Sequence, residues 1–154
     1  MMFDIVYVDD EQILRDVGKE LLEAQAPDFK VITFDNPKDA LVHIKNAKVD
    51  AIVSDYWMVP DSGINFLIKV RQIYDGLPFI LFTGRGKEEV VIEALNEGAD
   101  FYLQKGGDIA PTFAELEHMI RKSIERRANG KIIIGLKAAL LALPTNIETK
   151  PEGE

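Results

Sequence analysis

Asp9 and Asp10 close an apolar run, Phe3–Val8, and three more isolated polar residues each close an apolar run of their own: Asp55, Thr83 and Lys105. If those runs are parallel strands of one sheet, their carboxyl ends lie side by side, where open α/β sheets place ligand sites. One edge then collects three carboxylates, a hydroxyl and an ammonium. Two carboxylates about 4 Å apart repel by roughly 4 kcal/mol at an effective dielectric of 20, so three converging ones call for a cation or a raised pKa. Magnesium suits them, because it takes oxygen ligands, keeps several waters and commonly sits between carboxylates and a phosphoryl group. Zinc does not: the chain has no cysteine, and His43 and His118 fall in helical segments. A carboxylate in such a place can attack phosphorus and form an aspartyl phosphate, with magnesium and a cation such as Lys105 stabilising the charge on the transferred oxygens. Each residue also has a plainer role in isolation. Asp9 or Asp10 can cap the helix opening at Glu11, Lys105 can be a solvated strand-end lysine, and Thr83 an ordinary strand residue.

The elements that must position these groups are legible as alternating patterns. Phe3–Val8, 30–34, Ala51–Ser54, 79–82 and 101–103 read as strands, mostly without polar alternation, as doubly buried parallel strands do. Between them, Ile13, Leu14, Val17 and Leu21 share a helical face, as do Leu67, Val70 and Ile73, then Val91 and Leu95, and finally Leu116, Ile120 and Ile124. Pro27 follows the first helix, Pro37 starts the second, and Gly98 sits where the fourth needs a C-cap. Five strands and five helices in strict alternation imply right-handed crossovers and a parallel sheet covered on both faces. After Arg127, Asn129-Gly130 reads as a helix stop, residues 131–143 as a short sixth helix ended by Pro144, and the remainder as a polar tail. That sixth helix either packs on its own domain or serves a partner, a dimer or a linker.

A chain of 154 residues with ordinary apolar and charged fractions is expected to form one domain with a sizeable core. Its net charge of -8 argues against tracking a phosphate backbone, which requires clustered Lys and Arg. The absence of cysteine rules out disulfides and fits a reducing compartment. With no basic-then-apolar leader and no apolar run of membrane-spanning length, a soluble cytoplasmic protein is expected.

Over residues 3–127 the chain resembles the receiver domain of two-component response regulators, of the chemotaxis-receiver-like kind. The acid pair Asp9 and Asp10, Asp55 with Met58, Gly63, Thr83-Gly84 and Lys105 carry the likeness, and the segment from Thr83 to Gly107 is similar to archaeal receivers. The resemblance implies a flavodoxin-like three-layer α/β/α fold with a five-stranded parallel sheet in the order 2-1-3-4-5. Residues 1–128 would be the receiver domain and 129–154 a short C-terminal extension. It implies Asp55 as phosphoacceptor, with Thr83 and Lys105 contacting the phosphoryl oxygens. Asp10 would bind magnesium directly and Asp9 through water, with Asp55 and the backbone carbonyl of Trp57 completing the set. Thr83 and Tyr102 would form a switch read out on the fourth helix, fifth strand and fifth helix. The partners implied are a sensor histidine kinase or phosphotransfer protein and a downstream protein or second copy, without direct nucleic-acid contact or membrane insertion. Such a protein is a signalling module that assists phosphorylation of its own aspartate and its own dephosphorylation, not an enzyme acting on a separate substrate.

Three positions depart from the family pattern. Val59 stands where a Pro commonly follows Met58, with Pro60 one residue later; Gly106 replaces the Pro that usually follows the lysine; and Trp57 brings a bulky indole to the border of the phosphoryl pocket, within reach of Arg85 on a neighbouring loop. Of the competing classes, a magnesium phosphohydrolase of the haloacid-dehalogenase type needs an acid two residues beyond its nucleophile, where this chain has Trp57. A flavodoxin needs a phosphate loop after the first strand, where Asp9, Asp10 and Glu11 would repel phosphate. A phosphorylation-independent adaptor on the same fold remains the alternative.

Overall fold

In the computed structural model, residues 1–58, 62–84 and 87–142 are described, the side chains of 132–134 excepted. The element order is β1 (Phe3–Val8), α1 (Gln12–Gln25), β2 (Phe29–Phe34), α2 (Pro37–Asn46), β3 (Ala51–Ser54), α3 (Gly63–Ile73), β4 (Phe79–Thr83), α4 (Glu88–Asn96), β5 (Phe101–Gln104) and α5 (Ile109–Leu141). The strands form one sheet in the order β2-β1-β3-β4-β5, and every pairing is parallel. The fold is therefore the flavodoxin-like three-layer arrangement.

Strand periodicity divides the core in two. Ile5, Tyr7, Val53, Ile80 and Phe82 face one way, against Leu22 of α1 and Phe113, Leu116 and Ile120 of α5. Val6, Val8, Ile52, Phe79 and Leu81 face the other, against Ala40 and Ile44 of α2, Phe66, Leu67 and Val70 of α3, and Ala94 of α4. Because both faces are covered, no alternation of apolar and polar residues is needed, which is why the strands read as continuous apolar runs. The edge strand β2 is guarded by α1: Lys19 Nζ donates to the Val31 carbonyl at 2.9 Å and Glu23 Oε1 accepts from the Val31 amide at 3.2 Å. Two backbone groups that would otherwise invite a foreign strand are thus occupied.

Several helical faces differ from their sequence reading. Ile13 is exposed, while Val17 and Leu21 of the expected face pack against the core beside the fully buried Gly18 and Leu22, the Tyr7 ring occupying the space where a Gly18 side chain would stand. Ile73 and Leu95 are also exposed, and Ala94 takes the buried position in α4. Gly98 adopts φ +97° just past α4, as a C-cap glycine should. The expected stop at Asn129-Gly130 is absent, since α5 runs unbroken over 33 residues and Gly130 has no positive φ. The reason is one of magnitude: a helix-interior Gly costs only about 1 kcal/mol relative to Ala, and good helix formers surround it.

Candidate functional site

The sheet ladder continues one residue past the strands and so brings the polar residues into line. The Asp9 amide donates to the Phe34 carbonyl at 3.1 Å, the Asp55 amide to Val8 at 2.9 Å, and the Lys105 amide to Thr83 at 2.9 Å. Asp9, Asp10, Asp55, Thr83 and Lys105 consequently share the carboxyl edge of the sheet. Asp10, Asp55, Thr83 and Lys105, with Glu11, Leu14, Trp57 and Gly84, line a cleft of about 420 Å³.

Asp9 is buried and fully engaged. Its Oδ1 accepts from the Glu11 amide at 2.9 Å, its Oδ2 from Lys105 Nζ at 2.7 Å, and its carbonyl from Arg15 Nη1 at 2.8 Å. It acts as an anchor ahead of α1, whose N-cap residue is Glu11 without a side-chain cap bond. Asp55 is also buried; Oδ1 accepts from the Tyr56 amide at 2.8 Å, Oδ2 stands 3.5 Å from Lys105 Nζ, and the Thr83 hydroxyl bonds to its carboxylate. Asp10 is exposed, and carboxylate oxygens of Asp9, Asp10 and Asp55 all lie within 4.8 Å of one another. Lys105 rests over the Phe82 ring, its Nζ 5.4 Å from the centroid.

Burial pushes the Asp55 carboxyl above the ordinary carboxylate range, and the neighbouring Asp9 charge adds to that, while Lys105, Thr83 and the Tyr56 amide oppose it. Tyr7, directly beneath, has its phenol raised by burial first and then by the charges of Asp9 and Asp55. An all-oxygen donor set with surplus negative charge fits a hard divalent cation such as magnesium. Both Asp9 oxygens already accept hydrogen bonds, whereas Asp10 is exposed and lines the cleft.

The loop after Asp55 is fixed by a close approach. Gly63 donates its amide to the Tyr56 carbonyl at 2.8 Å, and a Cβ at Gly63 would overlap the Asp55 carbonyl oxygen. Ser62 caps α3 by accepting from the Asn65 amide at 3.2 Å. Trp57 is 56% exposed at the mouth of the cleft, its indole edge-to-face on Tyr56 with centroids 4.6 Å apart. Beyond Lys105, Gly106 and Gly107 take φ of +157° and +67°, so glycine torsions turn the chain where the family commonly has a proline. Val59, Pro60 and Arg85 lie outside the described residues.

Tyr102 lies on β5, in register with Leu81, and packs against the α2–α4 side of the core. Its hydroxyl is buried without a hydrogen-bond partner among the described residues, and burial raises its pKa. His43 packs on Phe34 and His118 is exposed on α5; neither joins the carboxylate cluster. Sequence reasoning missed Arg15, the Tyr56 amide, Phe82 and Tyr7. Arg15 had a usable signal, since it lies one turn into the helix that follows Asp9; the others depend on which face each strand residue presents.

The family model of the response regulator receiver domain matches residues 5–121, and the chain belongs to that family. It is 28% identical over 149 residues to the cyclic di-GMP phosphodiesterase response regulator RpfG of Xanthomonas campestris, covering 96% of this chain and 39% of that protein. It is 30% identical over 121 residues to the KDP operon transcriptional regulatory protein KdpE of Escherichia coli, covering 79% of this chain and 52% of that one. The chain thus spans about half or less of the length of these curated relatives. Among solved structures, a CheY-like receiver domain protein from Methanospirillum hungatei superposes with a TM-score of 0.75 at 23% identity, covering 84% of this chain and 99% of that one. The response regulator TrrA from Thermotoga maritima, solved in complex with Mg(2+)-BeF, gives 0.69 at 25% identity, covering 79% and 99%. Among the described residues, no helix is long and apolar enough to cross a membrane.

Proposed function

We propose that this chain takes a phosphoryl group from a sensor histidine kinase or a phosphotransfer protein onto Asp55 in a magnesium-dependent reaction. The observation that carries this reading is the position of Lys105 Nζ, 2.7 Å from Asp9 and 3.5 Å from Asp55 at the rim of a cleft that also holds Asp10 and Thr83. The Tyr56 amide holds Oδ1 of Asp55, and Oδ2, the oxygen nearer Lys105, is the attacking atom in this reading. In the transfer, Oδ2 bonds to phosphorus as the phosphorus–nitrogen bond of the donor phosphohistidine breaks. The bonding pair stays on the imidazole nitrogen, which takes a proton from solvent. Lys105 and the Thr83 hydroxyl then face the three transferred oxygens, which matches the charge distribution of phosphoryl transfer. Asp10, Asp55 and the Trp57 carbonyl, with Asp9 through water, are the groups that would hold magnesium, which when bound neutralises charge on the phosphoryl oxygens. Trp57, exposed at the cleft, and Ile13 and Ile109, exposed at the starts of α1 and α5, offer apolar contact to a donor protein.

The signal leaves through Thr83 and Tyr102. This route is supported by the Tyr102 hydroxyl, which is buried without a hydrogen-bond partner among the described residues, and by its ring packing on the α2–α4 side of the core. Movement of Thr83 toward the phosphoryl oxygens would let the ring settle further and reshape the α4–β5–α5 face, where a downstream protein or second copy reads it. The test is labelling with a small phosphodonor and magnesium. Wild type should form an acid-stable, alkali-labile phosphate, Asp55→Asn none, and excess chelator should suppress it. Labelling of Asp55→Asn equal to wild type would remove Asp55 from the role, and absence of labelling in wild type would favour an adaptor that works without phosphorylation.

A further inference from the structure

On the sheet face opposite α1 and α5, α2 and α3 border a groove of about 460 Å³ lined by Pro37, Lys38, Leu41, Val42, Lys45 and Lys69. Leu41, half-buried, and Val42 sit between Lys38 and Lys45 along α2, so the stripe lining the groove reads basic, apolar, apolar, basic over two turns. Val42 is 57% exposed. Lys38 and Lys45 have no ion-pair partner among the described residues, and the neighbouring Asp39 carboxylate is turned onto Asn36 Nδ2 at 2.9 Å. Such a basic-rimmed apolar groove is out of keeping with a chain of net charge -8.

The same molecule carries the complementary surface. On α4, Ile92 and Leu95 are 52% and 49% exposed, one turn apart, and around them stand Glu88, Glu89, Glu93 and Glu97, all exposed and without ion pairs among the described residues. The α4 patch cannot reach its own groove, because α3 packs on both α2 and α4 and lies between them. We infer that α4 of one copy docks in the α2–α3 groove of a second copy, with Ile92 and Leu95 against Leu41 and Val42 and the glutamates against Lys38 and Lys45.

A two-fold dimer on either patch alone would set lysines against lysines or glutamates against glutamates, so charge selects the head-to-tail pairing. Because the two patches differ, each added copy leaves one of each free, and association is open-ended rather than closed. One short helix seated in one groove makes a smaller contact than a standard stable interface of roughly 1,600 Å², and its charged rim is screened by salt, so the association is weak and salt-sensitive. Only its α4 half overlaps the proposed readout face, and it requires no phosphate on Asp55.

Sedimentation velocity of the full, unphosphorylated chain without magnesium tests this. The wild type should show a weight-average mass that climbs with concentration at low salt and collapses at high salt. The double variants Lys38→Glu with Lys45→Glu, and Glu89→Lys with Glu93→Lys, should each stay monomeric where wild type associates. Their equimolar mixture should associate again, since the intact α4 of the first meets the intact groove of the second and the two reversed patches are complementary in charge as well. Thermal melts of both variants matching wild type make the mixture decisive. A mixture that stays monomeric, a wild type that is monomeric throughout, or either variant associating like wild type would overturn the inference. All these outcomes are masses read with Asp55 unmodified, so they leave the phosphorylation reading to its own test.

Discussion

Asp9 and Asp55 are both acids at strand ends, yet the chain treats them differently. Asp9 spends its two oxygens on Lys105 and the Glu11 amide, whereas Asp55, bonded to the Tyr56 amide and the Thr83 hydroxyl, keeps only a longer 3.5 Å contact to the ammonium. One carboxylate anchors the cation, and the other is only loosely paired with it. That looser pairing has a consequence for stability. The folded-state pKa of Asp55 lies above the ordinary 3.8, so the folded chain binds this proton more tightly than the unfolded chain. Below the unfolded value both states are protonated and the residue is neutral in effect; as pH rises through the folded value, folding acquires a penalty that is complete above it. Asp55→Asn should therefore melt higher than wild type near pH 7 in chelator, with the gain fading as pH falls toward about 4. Urea melts of the two proteins across that range check it, and a gain of equal size at both ends would contradict the burial argument.

Among the elements, α3 is fastened to the α4–β5 junction by one side chain. Arg71 donates to the Gly98 carbonyl at 2.7 and 3.0 Å and to Leu77 at 2.6 Å, and reaches Asp100 at 3.3 Å, while Asp100 accepts from the Phe79 amide at 2.8 Å. Its guanidinium fork serves several acceptors at once, which an ammonium cannot. Arg71→Ala should destabilise by about 1 to 3 kcal/mol, from partly buried carbonyls left unpaired, and Arg71→Lys should recover little of it. Chemical denaturation measures both. In α5, a Cβ at Gly130 would meet nothing within 4 Å and the backbone is helical, so Gly130→Ala should raise helicity and add about 0.4 to 1 kcal/mol. Circular dichroism would show loss of helix instead if the chain needed a break there. At 33 residues and about 1.5 Å per residue, α5 is roughly 50 Å long and reaches well past the sheet.

At the scale of the whole molecule, parallel topology gathers on one edge what the sequence spreads from Asp9 to Lys105, and leaves that edge with more negative charge than Lys105 neutralises. A divalent cation that binds only the folded chain should then stabilise it, by about 2.7 kcal/mol at a hundredfold excess over Kd. Magnesium titrations followed by melting temperature should show this for wild type. Asp10→Asn should lose more of it than Asp9→Asn, because Asp9 is already held by Lys105 and the Glu11 amide. Equal losses in the two variants would put Asp9 in direct contact with the ion.

The amino-acid sequence by itself determined the alternation of five strands and five helices and the carboxyl-edge position of Asp55, Thr83 and Lys105. These follow from local periodicity and from which polar residue ends each apolar run. Only the tertiary structure decided what depends on distance and on facing. It made Asp9 the anchor of Lys105, turned Ile13 and Leu95 outward, required glycine at 63 against the Asp55 carbonyl, and carried α5 through Gly130. Periodicity marks a residue as apolar, but burial depends on what stands opposite: Tyr7 fills the space beside Gly18, so Gly18 and Leu22 are the deepest positions of α1, beside the Val17 and Leu21 that the pattern points to.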